Sequence, residues 1–228
     1  MRLVLVAVLA LTPLLAKDKE HDRRLAQAEA LFSEVMGNPD TGIPQKLFDK
    51  ALCIVIVPAR DTPAFTYFGR HGKGYVSCRL QTGKGWSAPG SIGIEGGSID
   101  LQIGTFSTDM ILLVMNERTE DKLLSREFRL GTDASIAAGP VGEAVTDETD
   151  AQRHADVLSW SRLQLLFTGF ALEGAVLQED LDANAKLYGK KLENRDIVTK
   201  GVAVPPAAAK LMAQLNRYLP KEQQDSKE

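Results

Sequence analysis

Side chains that perform chemistry unaided are scarce in this sequence. Among 228 residues there are only three histidines, His21, His71 and His154, and two cysteines, Cys53 and Cys78. None of them forms a C-x-x-C, an H-E-x-x-H or another ordered ligand series, so no metal is expected. A phosphate-binding G-x-x-x-x-G-K-[ST] loop and a G-x-G-x-x-G turn after a strand are missing too, which removes the usual nucleotide cofactors; none is expected. Gly96-Gly97-Ser98-Ile99-Asp100 approaches a nucleophile elbow. However, Asp100 stands where the last glycine must permit the tight turn, and Ser98 reads as a turn residue. Asp147, Glu148 and Asp150 lack the glycine and ordered ligands of a calcium loop and read as a solvated turn. No catalytic residue is assigned; a hydrolase built on Ser98 or these acids would need a histidine or second carboxylate within hydrogen-bond reach.

A positive balance is absent as well. With 27 Lys and Arg against 30 Asp and Glu the net charge is -3 and the pI about 5.7, so nucleic acid is not an expected partner. Long apolar runs are missing except at the start. There Arg2 precedes the stretch Leu3 to Leu11, which reaches Leu15 through Thr12 and Pro13. This is the shape of a secretory signal over residues 1–16, with Ala16 before the cleavage point. The alternative is an uncleaved anchor, although an apolar run of about 13 residues is short of the ~20 that cross a bilayer. Export implies a periplasmic or secreted protein, in which Cys53 and Cys78 are either bridged or two buried thiols.

What the chain does hold is regular patterning. Leu25, Ala28, Leu31, Phe32, Val35 and Met36 recur at three- and four-residue steps, predicting an amphipathic helix over His21 to Met36, with a linker to residue 42. A short helix follows over Pro44 to Lys50, then strands at Leu52 to Val57, Phe65 to Phe68, Gly74 to Leu80, Ile99 to Gly104 and Met110 to Met115, the last as the return arm of a hairpin. Turn signals are read at Gly69, Gly72, Gly83, Gly85, Pro89, Gly90, Gly96 and Gly97. Glu117 to Arg126 reads as helix, Ser159 to Phe170 as a long strand continued by Leu172 to Leu177, and Leu181 to Tyr188 and Pro205 to Leu219 as helices. Strands in the middle and helices at both ends indicate α+β, with a central, mainly antiparallel sheet. One domain over 43–219 and a polar tail over 220–228 account for the rest.

Charge is unevenly spread. Residues 41–90 hold Lys46, Lys50, Arg60, Arg70, Lys73, Arg79 and Lys84 against Asp49 and Asp61, a net of +5, whereas residues 91–160 carry a net of -8. Two glycine-punctuated loops, at Gly69 to Gly74 and Thr82 to Trp86, carry cations where backbone can approach a ligand closely. The seven cations with Trp86, whose ring suits a membrane interface, are the candidate binding residues for an anionic phospholipid surface. The same residues also fit two hairpin turns with solvated lysines and Trp86 in the core.

An ordered set of short motifs carries a family likeness. It comprises Ile43-Pro44 with Leu47 and Ala51, the strand Ile54 to Pro58, Gly72-Lys73-Gly74 with Arg79, and Gly85-Trp86-Ser87-Ala88-Pro89. Gly96-Gly97-Ser98, Gln102-Ile103-Gly104, Asp109, Asn116, Leu130 to Ser135 and Ala137 to Gly142 follow. Leu172-Glu173-Gly174, Asp180, Asn184 and Tyr188-Gly189 close the set. The chain resembles the SYLF-domain proteins. The resemblance implies a non-enzymatic lipid-binding domain, with phosphoinositide headgroups as ligands of eukaryotic members and unassigned ligands in exported bacterial ones. SH3 or FYVE modules accompany the domain in several eukaryotic members. None is read within these 228 residues, so actin regulation is not expected. The expectation is an exported, peripherally membrane-associated protein that binds anionic phospholipid. The competing expectation is an envelope structural or protein-interaction module with a protein partner.

Overall fold

A computed structural model describes residues 12–58, 71–82, 85–96, 109–142, 149–160 and 172–220. The chain enters through helix α1, Thr12–Gly37, whose Leu25, Ala28, Leu31 and Phe32 are buried, as the three- and four-residue spacing requires. It ends at Gly37-Asn38-Pro39, where the Asn38 side chain accepts from the Asp40 and Thr41 N–H groups and turns the chain. Helix α2, Gln45–Lys50, starts just after Pro44, a residue tolerated where no intrahelical donor is needed.

Eight strands form one sheet among the described residues: β1 Cys53–Val57, β2 His71–Cys78, β3 Gly90–Glu95, β4 Met110–Val114, β5 Glu127–Arg129, β6 Ile136–Ala138, β7 Val157–Trp160 and β8 Val176–Glu179. Their order is β5-β8-β3-β2-β1-β4-β7-β6, antiparallel throughout except for the parallel β6–β7 pair. Strands β5 and β6 lie at opposite ends of that order, yet only residues 130–135 join them in the chain. Such a link spans at most about 25 Å, whereas a flat sheet of this size would hold its outer strands about 34 Å apart. The sheet is therefore curled, and an isolated bridge between Leu130 and Ala134 lies within that link.

Curling sorts alternate residues into two cores. Ile54 and Ile56 of β1, Tyr75 of β2 and Ile111 and Leu113 of β4 pack with α1, α2 and the C-terminal helix α7, Ala209–Arg217. Cys53, Val55, Val57, Val76 and Leu112 point the other way, joining Phe128 of β5, Val157 of β7 and Leu177 of β8. Residues from strands near both ends meet in this second cluster, which places it on the concave side. Helix α3, Glu117–Leu123, contributes Leu123 there; α4, Asp150–His154, caps itself through Thr149 and Gln152 at the rim. Helices α5, Leu181–Tyr188, and α6, Asn194–Thr199, pack beside β3, and a 3-10 turn at Pro206–Ala208 leads into α7. The α+β class with helices at both ends is as the sequence predicts.

Several elements differ from expectation. Pro89-Gly90 does not mark a turn: Gly90 opens β3, and a Cβ there would lie 2.4 Å from the Asn194 Oδ1, so glycine serves close approach. Strand β4 is no hairpin arm, because β1 and β7 occupy both its edges along 111–114. Leu172 to Leu177 does not continue the preceding strand; it turns at Glu173-Gly174 before β8, which runs to Glu179. Helix α6 was not anticipated, its six residues being too few to show a period. The strands expected at Phe65 to Phe68 and Ile99 to Gly104, together with Ser98, Asp147 and Glu148, lie outside the described residues.

Candidate functional site

Three elements converge at one corner of the helix layer. Helix α2 packs Phe48 against Phe32 of α1, with ring centroids 5.5 Å apart, and against Trp86 at 5.3 Å. Tyr218, just past α7, meets Phe32 edge-on at 5.7 Å, and its carbonyl accepts from the Gln45 side chain at 2.8 Å. The chain after β2 is fixed to α7 by Asn216, whose Oδ1 accepts from the Trp86 N–H at 3.1 Å. That contact needs Gly85, whose φ of 99° is open mainly to glycine.

Arg79 holds the corner from within. Its guanidinium lies 4.3 Å from the Trp86 ring and 5.4 Å from the Phe48 ring, and donates to the Phe48 and Ala51 carbonyls. Those carbonyls end α2, where the helix dipole is negative. Burial pulls the Arg79 pKa down, and the Asp49 charge opposes that pull. The role of Arg79 here is to close α2 and cover aromatic faces.

Trp86 is a core residue, 3% exposed, so its ring is packed inside the helix-side cluster rather than offered to an interface. Lys46 and Lys50 stand on the outer side of α2, both exposed, and neither has a hydrogen-bond or ion-pair partner among the described residues. Lys84 and its neighbour Gly83 lie outside the described residues, as do Arg60 and Arg70; Lys84 directly precedes Gly85 in the chain. Arg217, in the last turn of α7, directly precedes Tyr218, whose carbonyl meets Gln45 of α2. No signal within residues 41–90 could have pointed to it, because only the fold brings α7 beside α2.

Lys73 belongs elsewhere. It sits six residues before Arg79, so about 20 Å separates them along the strand. Its Nζ bonds the Asp180 carboxylate at 2.7 Å. Burial alone would raise the Asp180 pKa, but the Lys73 hydrogen bond, the Ala183 N–H, and the Lys73 and Lys186 charges hold it below the ordinary range. Nearby, the His21 pKa is lowered by burial and by the Arg24 and Lys186 charges, and burial pushes the Tyr75 hydroxyl up to about 12. The basic segment thus divides: Lys46, Lys50, Arg79 and Trp86 gather at one corner, and Lys73 is neutralised by a residue of the C-terminal half.

The two cysteines, paired across β1 and β2, are bridged, with Cα atoms 3.9 Å apart. Among the described residues no helix is long and apolar enough to cross a membrane.

Residues 95–218 match a family described as "Ysc84: Las17-binding protein actin regulator". The chain belongs to the Ysc84 family. This agrees with the SYLF likeness carried by residues 43–219. The SH3 domain-containing YSC84-like protein 1 of Rattus norvegicus is 28% identical over 212 residues, covering 92% of this chain and 62% of its own length. An SH3 domain-containing protein of Schizosaccharomyces pombe is 34% identical over 178 residues, 76% of this chain and 41% of that one. Protein YSC84 of Saccharomyces cerevisiae is 30% identical over 178 residues, 76% of this chain and 37% of the relative. The chain thus spans less than two thirds of the length of these Ysc84 relatives, and none of the three is named as an enzyme.

Proposed function

We propose that this Ysc84-family chain is a non-enzymatic, exported protein that binds anionic phospholipid surfaces through the α2 corner. The observation that carries the reading is the pair of exposed lysines, Lys46 and Lys50, without partners among the described residues, on a short helix fixed from below by aromatic packing and Arg79. A rigid base matters, because headgroup contacts then cost little further ordering. Each lysine near an anionic leaflet contributes about 1 kcal/mol. In this reading Trp86 and Arg79 position the helix, and Lys73 is spent on Asp180. Arg60 and Arg70, outside the described residues, remain candidate contacts. Export is supported by the signal-like residues 1–16 and by the Cys53–Cys78 bridge, a bond that persists in oxidising compartments.

Co-sedimentation with vesicles tests the lipid reading. The chain is expected to pellet with vesicles containing phosphatidylglycerol or a phosphoinositide, to stay in solution with phosphatidylcholine alone, and to be released by high salt. Equal binding to neutral and anionic vesicles would overturn it. A protein-interaction role is the second reading, favoured by the family description, which names binding to another protein. It predicts no pelleting with either vesicle.

A further inference from the structure

The concave core contains a carboxylate that the fold does not explain. Glu120 lies in the first turn of α3, half-buried, and no hydrogen bond or ion pair engages its carboxylate among the described residues. The nearby Arg195 is bonded to Asp121 instead. A half-buried carboxylate with no hydrogen bond of its own among the described residues is unfavourable, and the Arg195 charge only partly offsets that. Beside it lie the sulfurs of Cys53 and Cys78, both residues fully buried; one carboxylate oxygen and the two Sγ atoms all fall within 4.8 Å of one another. Adjacent strands in fixed register supply the sulfurs, and α3 supplies the oxygen from the chain after β4.

We propose that Cys53, Cys78 and Glu120 form a redox-gated site: bridged when oxidised, and a binding site for a borderline-soft divalent cation of the zinc type when reduced. A thiol or phosphine reductant delivers two electrons and the disulfide takes up two protons, giving two thiols while the reductant is oxidised. The cation then displaces both thiol protons, so that two thiolates and the Glu120 carboxylate ligate it and water fills the fourth position. Thiolates about 2.3 Å from a tetrahedral zinc stand about 3.8 Å from each other. Such a span suits neighbouring residues on paired strands, and the Glu120 oxygen is already within reach. The cation would add to the partial compensation that the Arg195 charge gives the Glu120 carboxylate. The site does not draw on the α2 corner, and its metal-binding form arises only where the Cys53–Cys78 bridge is reduced, not in an oxidising compartment where that bridge persists.

Metal titration of the full chain tests it. Protein refolded in a phosphine reductant, with its two thiols counted, is titrated with Co²⁺ and then Zn²⁺, and oxidised protein is titrated in parallel. The expected result is one equivalent of Co²⁺ with thiolate-to-metal absorption in the reduced protein only, displaced by Zn²⁺. Glu120→Gln should bind at least about tenfold more weakly, a loss that even outer ligand partners cause, while keeping the native circular dichroism. No binding to reduced, folded protein, or equal affinity in E120Q, overturns the site. So does loss of the fold on reduction, because the three ligands meet only through the sheet and α3.

Discussion

The two ends of β2 received similar charges from the sequence and use them differently. At the Lys73 end a cation meets Asp180 of the C-terminal half and is consumed in capping the approach to α5. At the Arg79 end a guanidinium turns inward onto Trp86 and Phe48, leaving Lys46 and Lys50 on the outer face of α2. A basic stretch in a sequence is thus not a basic face. Which cations remain available is decided by the partners the fold brings beside each, and here that separates neighbours only six residues apart.

Truncating the aromatic base should destabilise the α2 corner most. Trp86→Ala removes a ring packed on Phe48 and Arg79 and is expected to cost about 3 to 5 kcal/mol in urea denaturation. Arg79→Ala leaves the Phe48 and Ala51 carbonyls without their donor and should cost about 2 kcal/mol. Arg79→Lys should not restore it, since an ammonium cannot span both acceptors and stack on two rings. A smaller effect is expected at the other end. Lys73 is 42% exposed at its side chain, so Lys73→Met should cost about 0.5 kcal/mol near neutral pH. Its signature lies in acid. The Asp180 pKa is depressed on folding, so its contribution is present above about pH 4 and lost as the pH falls through the folded value. Acid titration of stability should therefore show a shallower loss in K73M than in the native chain. Smallest of all, Lys46→Ala and Lys50→Ala should change stability by less than about 0.5 kcal/mol, as exposed substitutions do.

The same contrast explains what could be read beforehand. Short apolar runs such as Cys53–Val57 and Met110–Val114 are legible because burial on both faces demands unbroken β-branched or aliphatic residues. Helix α1 is legible from its period. Strand β3 was hidden because its sequence, GSIGIE, uses glycine where Asn194 comes close, and glycine next to proline reads as a turn. Pairing is less legible still: nothing local reveals that β4 lies between β1 and β7, or that residue 45 meets residue 218. For the candidate site, Lys46 and Lys50 were visible as charges. The inward turn of Arg79, the burial of Trp86 and the meeting of α2 with the end of α7 depend on contacts across the whole chain.

Vesicle binding of two charge variants, measured side by side, tests whether membrane contact lies at the α2 corner. Lys46→Glu with Lys50→Glu removes about 2 kcal/mol of attraction before any repulsion is counted, so affinity for anionic vesicles should fall at least thirtyfold or so. Lys73→Met should bind as the native chain does. Undiminished binding by K46E/K50E, or a loss confined to K73M, would contradict the assignment of membrane contact to the α2 corner.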